Sequence, residues 1–122
     1  MAIHNERGKN AEEIASQYLA SIGYKILNRN WRYYQKEIDI VAEKDSQIII
    51  VEVKSRSGKD TVSADELITF GKMRNLVSAA EAYINKYNIE KEIRFDVMII
   101  NHDEPIQHVE HITGAFTPGA NW

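Results

Sequence analysis

The segment from Glu37 to Lys54 holds two apolar runs joined by Lys44-Asp45-Ser46-Gln47, and it restricts the fold more than any other stretch of the chain. Side chains alternate faces along a strand, so Glu52 and Lys54 share one face while Val51 and Val53 take the other, and Glu37 and Asp39 are disposed likewise. With Asp45-Ser46 as a two-residue hairpin loop, directly opposed residues have numbers that sum to 91. Asp39 then faces Glu52, Glu37 faces Lys54, and Ile38 and Ile40 lie opposite Val53 and Val51. One face is wholly apolar and should lie against a helix; the other ends in acids and a lysine. A slip of one residue would mix the two faces and bury charge.

Two carboxylates about 5 Å apart repel by roughly 3 kcal/mol at an effective dielectric of about 20. Lys54 supplies one compensating charge, and a proton shared between the acids would offset the rest. A hard divalent cation held by both does so more fully and leaves the lysine for a reacting phosphate. A Glu-x-Lys match alone is more often a solvated strand face. The opposed Asp39 shifts the reading towards a site.

At 122 residues the chain is long enough for one domain, residues 1–122, with a single core between sheet and helices. There is no cysteine, which excludes disulfides and thiolate metal sites and suits a reducing cytoplasm. The longest apolar run, Ile48 to Val51, is far too short to cross a membrane, and a soluble cytoplasmic protein is expected. The net charge of -3 disfavours a non-specific nucleic-acid coat. Residues 25–74 nevertheless carry ten Lys or Arg against eight acids, whereas 75–122 carry three against seven. A locally basic middle around an acidic site can still take up a phosphodiester backbone, with modest, salt-dependent affinity.

Ala11, Ile14, Ala15, Tyr18, Leu19 and Ile22 form one helical stripe, ended by Gly23. Tyr24 to Trp31 reads as a strand with a polar bend at Asn28 to Asn30, the hairpin follows, and Ser55 to Thr61 is a loop. A second helix starts at Ser63, which opens a capping box, or at Thr69, and ends near Tyr87. Ile93 to Ile100 is a β-branched strand, Asn101 to Pro105 a turn, Ile106 to Ile112 a weaker strand, and Thr113 to Trp122 an irregular tail. The order αβββαββ predicts an α/β protein with helices flanking a mixed sheet.

Glu12 on the first helix, Asp39 on the second strand and Glu52-x-Lys54 on the third resemble the PD-(D/E)xK nuclease superfamily, with its restriction-endonuclease-like fold. The chain is similar to Holliday-junction resolvases and, more closely, to the YraN-type family of small bacterial proteins. That likeness runs through Gly8-Lys9-Asn10-Ala11-Glu12, Asn30-x-Arg32, Glu37-Ile38-Asp39-Ile40-Val41, Val51-Glu52-Val53-Lys54-Ser55-Arg56, Lys72, Leu76, Ala79-Ala80, Tyr83 and Arg94-Phe95-Asp96-Val97. Ala11 and Lys36 stand where the family usually has glycine.

The resemblance implies a magnesium- or manganese-dependent endonuclease acting on structured or branched DNA, possible as a homodimer, with catalytic Asp39, Glu52 and Lys54. Asp39 and Glu52 would hold metal together with Glu12 and the backbone carbonyl of Val53. Arg32, Arg56 and Lys72 match basic positions and are candidates for phosphate contacts. Glu12 could instead stabilise the start of its helix, and Glu37 could orient Lys54. A non-catalytic nucleic-acid-binding or adaptor module is the alternative. His108 and His111 read as structural, since their spacing sends them to opposite faces with no acid gathered around them. Trp31 and Tyr33-Tyr34 could stack on unpaired bases, although aromatics beside a β-rich core more often pack.

Overall fold

The computed structural model describes residues 2–56, 68–101 and 108–119, with residues 2–9 described as backbone only. In chain order the elements are α1 (Ala2–Ser21), β1 (Lys25–Tyr33), β2 (Lys36–Lys44), β3 (Gln47–Arg56), α2 (Phe70–Lys86), β4 (Glu92–Asn101) and β5 (His108–Phe116). The strands form one sheet in the order β1-β2-β3-β4-β5. Only β3 and β4 run parallel, and the chain passes between them through α2. The αβββαββ order and the mixed sheet agree with the sequence reading.

Local chemistry explains the element ends. Gly23, at φ +96°, closes α1: its N–H donates to the Ala20 carbonyl while that of Tyr24 donates to Leu19. This paired closure is the Schellman arrangement, and it places Tyr24 against Leu19 in the core. Asn88, at φ +53°, closes α2 in the same way, with the Ile89 N–H donating to the Ile84 carbonyl. Thr69 starts α2, its hydroxyl accepting from the Lys72 N–H at 3.1 Å, so the later of the two expected starts is observed here. Ser63 lies outside the described residues, as do most of the Ser55 to Thr61 loop and the turn before β5. At the β2–β3 hairpin, Asp45 and Ser46 both have positive φ, 51° and 65°, the geometry that matches the twist of paired strands.

The two helices cover opposite faces of the sheet. Ala11, Ala15 and Leu19 of α1 pack with Ile40, Ala42, Ile49, Val51, Met98 and Ile100. Leu76, Ala79, Ala80 and Tyr83 of α2 pack with Ile38, Val41, Ile48, Ile50 and Phe95. Burial of both faces accounts for the continuous apolar run of β3, where a one-sided sheet would show alternation. Fully burying each such side chain contributes on the order of 2 kcal/mol.

The hairpin register is as expected from Lys44–Gln47 to Ile40–Val51, every pair summing to 91. There the ladder stops, so Asp39 and Glu52 are not a backbone-paired couple. Ile38 joins the α2 cluster together with Val41, which breaks the alternation of β2 between them. The expected single apolar face of Ile38, Ile40, Val51 and Val53 is thus corrected: Ile40, Val51 and Val53 meet α1, and Ile38 meets α2. Other boundaries also move. β1 runs on to Tyr33, β3 extends to Arg56, and β5 continues to Phe116 through residues expected to be an irregular tail. Ladder pairing holds these ends extended, through Tyr33–Lys36 for β1, Arg56–Asn101 for β3 and Phe95–Phe116 for β5.

Candidate carboxylate and lysine site

Where β2 and β3 separate, the carboxylate of Asp39 replaces a backbone partner: its Oδ2 accepts from the Val53 N–H at 2.8 Å. Glu52 alternates with Val51 and Val53, so it projects towards the α2 face, and only 4% of it is exposed. Two ammonium groups reach it. Lys54 Nζ lies 3.3 Å from Glu52 Oε2, and Lys72 Nζ, from the first turn of α2, lies 3.7 Å from Oε1. Oε1 is buried and accepts no hydrogen bond. A buried carboxylate oxygen without a hydrogen bond is costly, and it marks where a positive ligand would be favoured.

Asp39 is pushed up to about 7, first by burial and then by the charge of Glu52. The Val53 amide and Lys72 oppose the shift without cancelling it, and Glu37 adds to it. Glu12 approaches the same gap from the α1 layer. Its carboxyl is raised by burial and by Asp39, while a hydrogen bond from the Asn30 side chain holds it back. Since α1 begins at Ala2, Glu12 sits nearly three turns inside the helix and does not serve its N-terminus. Its desolvation beside Asp39 is what remains of the two readings for this residue.

The site therefore gathers Glu12, Asp39 and Glu52 around the split between β2 and β3, with Lys54 and Lys72 beside them. Glu37 departs from expectation. It lies opposite Arg32 on β1 and pairs with it at 3.6 Å, so it does not face Lys54. Lys72, expected to contact phosphate, is drawn into the carboxylate cluster. Arg32 stands exposed on the β1 edge, and Arg56 ends β3 opposite Asn101. Lys36 donates to Ser78 Oγ at 3.0 Å and ties the start of β2 to α2. Among the described residues no three histidine or acidic side chains stand close enough together to hold a metal ion. The chemistry of the set nevertheless fits a hard cation, because the buried Glu52 and the half-buried Asp39 share one gap and one oxygen of Glu52 lacks a donor.

Sequence reasoning missed two features. Asn30, at φ +54°, holds Glu12; its signal was the polar bend around it, since asparagine tolerates the left-handed region. The second is a polar network on the α1 side of the sheet, around Asp96, which is 1% exposed. Arg94 donates to both carboxylate oxygens at 2.9 and 2.8 Å, the Gly114 N–H donates at 3.0 Å, and His111 Nε2 donates at 2.7 Å. Arg94 also donates to the Tyr24 hydroxyl at 2.6 Å. Burial alone would raise Asp96, yet the donors from His111, Arg94 and Gly114 hold it below the usual range. His111 is thus structural, as expected, but through an acid contact that the sequence did not reveal, because Asp96 and His111 meet only across the β4–β5 ladder.

Fold and site together define a small α/β protein with a mixed five-stranded sheet and a carboxylate-lysine cluster at the opening of its central hairpin. Residues 11–100 match the model of the uncharacterised protein family UPF0102, and the chain belongs to that family. It is 38% identical over 118 residues to the UPF0102 protein of Phocaeicola vulgatus, covering 97% of this chain and 98% of that one. The UPF0102 protein of Flavobacterium johnsoniae is 41% identical over 120 residues, at 95% and 98% coverage. The UPF0102 protein BF0634 of Bacteroides fragilis is 42% identical over 118 residues, at 97% and 98%. No described helix is long and apolar enough to cross a membrane.

Proposed function

We propose that the chain is a magnesium- or manganese-dependent endonuclease of the PD-(D/E)xK superfamily, with a restriction-endonuclease-like fold, that hydrolyses phosphodiester bonds of structured or branched DNA in the cytoplasm. The observation that carries this reading is the buried, incompletely bonded Glu52 beside an Asp39 shifted to about 7, with Lys54 on the same face. Acids crowded at a hairpin opening are destabilising unless something positive sits between them. Asp39 and Glu52 would hold the divalent ion, with Glu12 and the Val53 carbonyl completing the oxygen set. When bound there, the ion supplies Lewis acidity and a water of lowered pKa. Lys54 neutralises charge that gathers on the phosphoryl oxygens, and in the free protein it screens Glu52. With an ion held there, Lys72 would be free to serve phosphate, and Arg32 and Arg56 would hold the flanking backbone. A homodimer would present two such sites to a substrate needing two cuts.

One observation favours a second reading. Val53, Lys54 and Lys72 already satisfy most of the two acids without an ion, as a non-catalytic nucleic-acid-binding or adaptor module would require. A panel of duplex, single-stranded, flap and four-way-junction DNA with either metal separates the two. Cleavage by the wild type that disappears in Glu52→Gln supports the enzyme; no cleavage of any substrate, with binding retained, supports the module.

A further inference from the structure

The β1–β2 hairpin ends in a feature that the hydrolytic reading does not use. Tyr34 is 85% exposed, the most open of the large apolar side chains described, and it sits at φ +57° in a two-residue loop between the paired Tyr33 and Lys36. That conformation favours glycine, and a bulky aromatic there is uncommon. Burial does not compensate for it. Behind the loop lies a groove of about 340 Å³ formed by Trp31, Arg32, Tyr33, Tyr34, Ala82 and Lys86. This is within the range of small-molecule pockets, roughly 300–1,000 Å³.

The aromatic rings of the groove are in contact with one another and with a buried ring behind them, Tyr83. Tyr34 meets Tyr33 edge-on at 4.7 Å, Trp31 meets Tyr83 at 5.1 Å, and Tyr83 meets Tyr87, which is itself 47% exposed and has the Lys86 ammonium over its ring. Trp31 and Tyr33 are anchored at one edge by the α2 cluster, so the platform is rigid while its outer end is open. Two cations line it as well, Arg32 from β1, which also pairs with Glu37, and Lys86 from the last turn of α2. An exposed aromatic ring with cations beside it is what a single strand of nucleic acid requires, since every base has a π-face and every linkage a negative charge.

We propose that this shelf stacks an unpaired nucleobase, with Arg32 and Lys86 on the adjoining phosphates. The ligand class rests on the nucleic-acid reading above, and the inference deepens it by locating the unpaired segment. Lys36 to Asp39 spans about 10 Å of strand and Tyr34 to Asp39 at most about 17 Å, roughly three to five stacked nucleotide steps. A strand seated on Tyr34 thus passes Arg32 and Glu37 on its way to Asp39. The preferred substrate carries unpaired bases within about that many steps of the scissile bond.

The test is fluorescence anisotropy with oligothymidylate and with a duplex of equal length, in chelator so that no hydrolysis intervenes. Tyr34→Ala should weaken oligothymidylate binding by roughly five- to a hundredfold and duplex binding by less than about twofold. Tyr34→Phe should restore it. Arg32→Ala and Lys86→Ala should weaken both ligands and each lower the salt slope by about one. Tyr34→Gly should lose single-strand binding while melting higher than the wild type, which separates stacking from folding. Equal losses on both ligands, or none, overturn the proposal. So does a Tyr34→Ala variant whose only change is in sedimentation, since the shelf would then be a protein contact. A wild type that binds through Tyr34 but cuts nothing leaves the shelf standing and removes the enzyme; one that cuts regardless of Tyr34 does the reverse.

Discussion

Replacing Asp39 with asparagine should make the protein more stable above neutral pH, and the gain should be readable as a function of pH. The amide oxygen of the introduced asparagine can still accept from the Val53 N–H, so the contact at the strand opening survives while the charge is removed. In the folded protein Asp39 keeps its proton up to about 7, whereas an unperturbed aspartate releases it near the ordinary 3.8. Folding therefore takes up a proton in that window, and the stability of the wild type falls as pH rises through it. Each pK unit is worth about 1.4 kcal/mol, so the full shift sets a ceiling of about 4 kcal/mol. Solvent screening at a half-buried carboxylate reduces this to roughly 2 kcal/mol. For a domain of this size that is on the order of 6–10 °C in Tm. Thermal melts followed by circular dichroism, in chelator, should show wild type and Asp39→Asn melting together near about pH 4 and separating progressively to about pH 7.5, with no further divergence above it. A difference that is constant across the range, or an asparagine variant that melts lower at high pH, would show that Asp39 is ordinarily ionised in the folded chain and refute the reasoning.

The other expectations can be checked with similar means. Magnesium or manganese should raise the melting temperature of the wild type near neutral pH and above, less so near about pH 5 where Asp39 holds its proton, and Glu52→Gln should lose the effect; calorimetric heats equal in both proteins would count against a bound ion. Lys54→Ala should still fold, melting somewhat lower because Glu52 loses one of its two ammonium partners, and bind DNA almost unchanged, yet lose cleavage by roughly a hundredfold or more, as expected for one preorganised electrostatic group. Asp96→Ala should destabilise the fold by about 3–5 kcal/mol in urea unfolding, because it strands Arg94 and His111 on the covered side of the sheet. Because Asp96 is held low, its contribution is present at neutral pH and disappears as acid protonates it, so acid unfolding of the wild type should steepen below about pH 4.

The central hairpin was legible because its two-residue loop and its apolar pattern impose the same register. The buried faces of the helices were legible from period and their ends from the stops at Gly23 and Tyr87, but the start of α1 at Ala2, well before the apolar stripe that begins at Ala11, was not. The site was legible as a set of residues but not as a geometry. Opposition of Asp39 and Glu52 assumes that the ladder continues, and the sequence does not say that a side-chain oxygen will take over from the backbone at Val53. Glu37 followed the same fate, since the pairing it found lies with Arg32 on β1 rather than across the hairpin. The Arg94, Asp96 and His111 network was hidden for another reason: its members are close in space only after β4 and β5 pair, and neither strand shows an unusual pattern by itself.

The capture of the Val53 amide by Asp39 has an evolutionary consequence. Position 39 answers to two selective pressures, since any replacement must accept a backbone hydrogen bond as well as serve whatever happens in the gap. Lys54 answers to fewer, being a partly exposed cation that no described backbone group needs. A lineage that abandoned chemistry would be free to drift at Lys54 and Glu52 while still retaining an aspartate or asparagine at position 39. The mark of lost turnover among relatives is then an altered Glu-x-Lys beside a preserved acceptor, and a preserved Asp39 by itself testifies to folding.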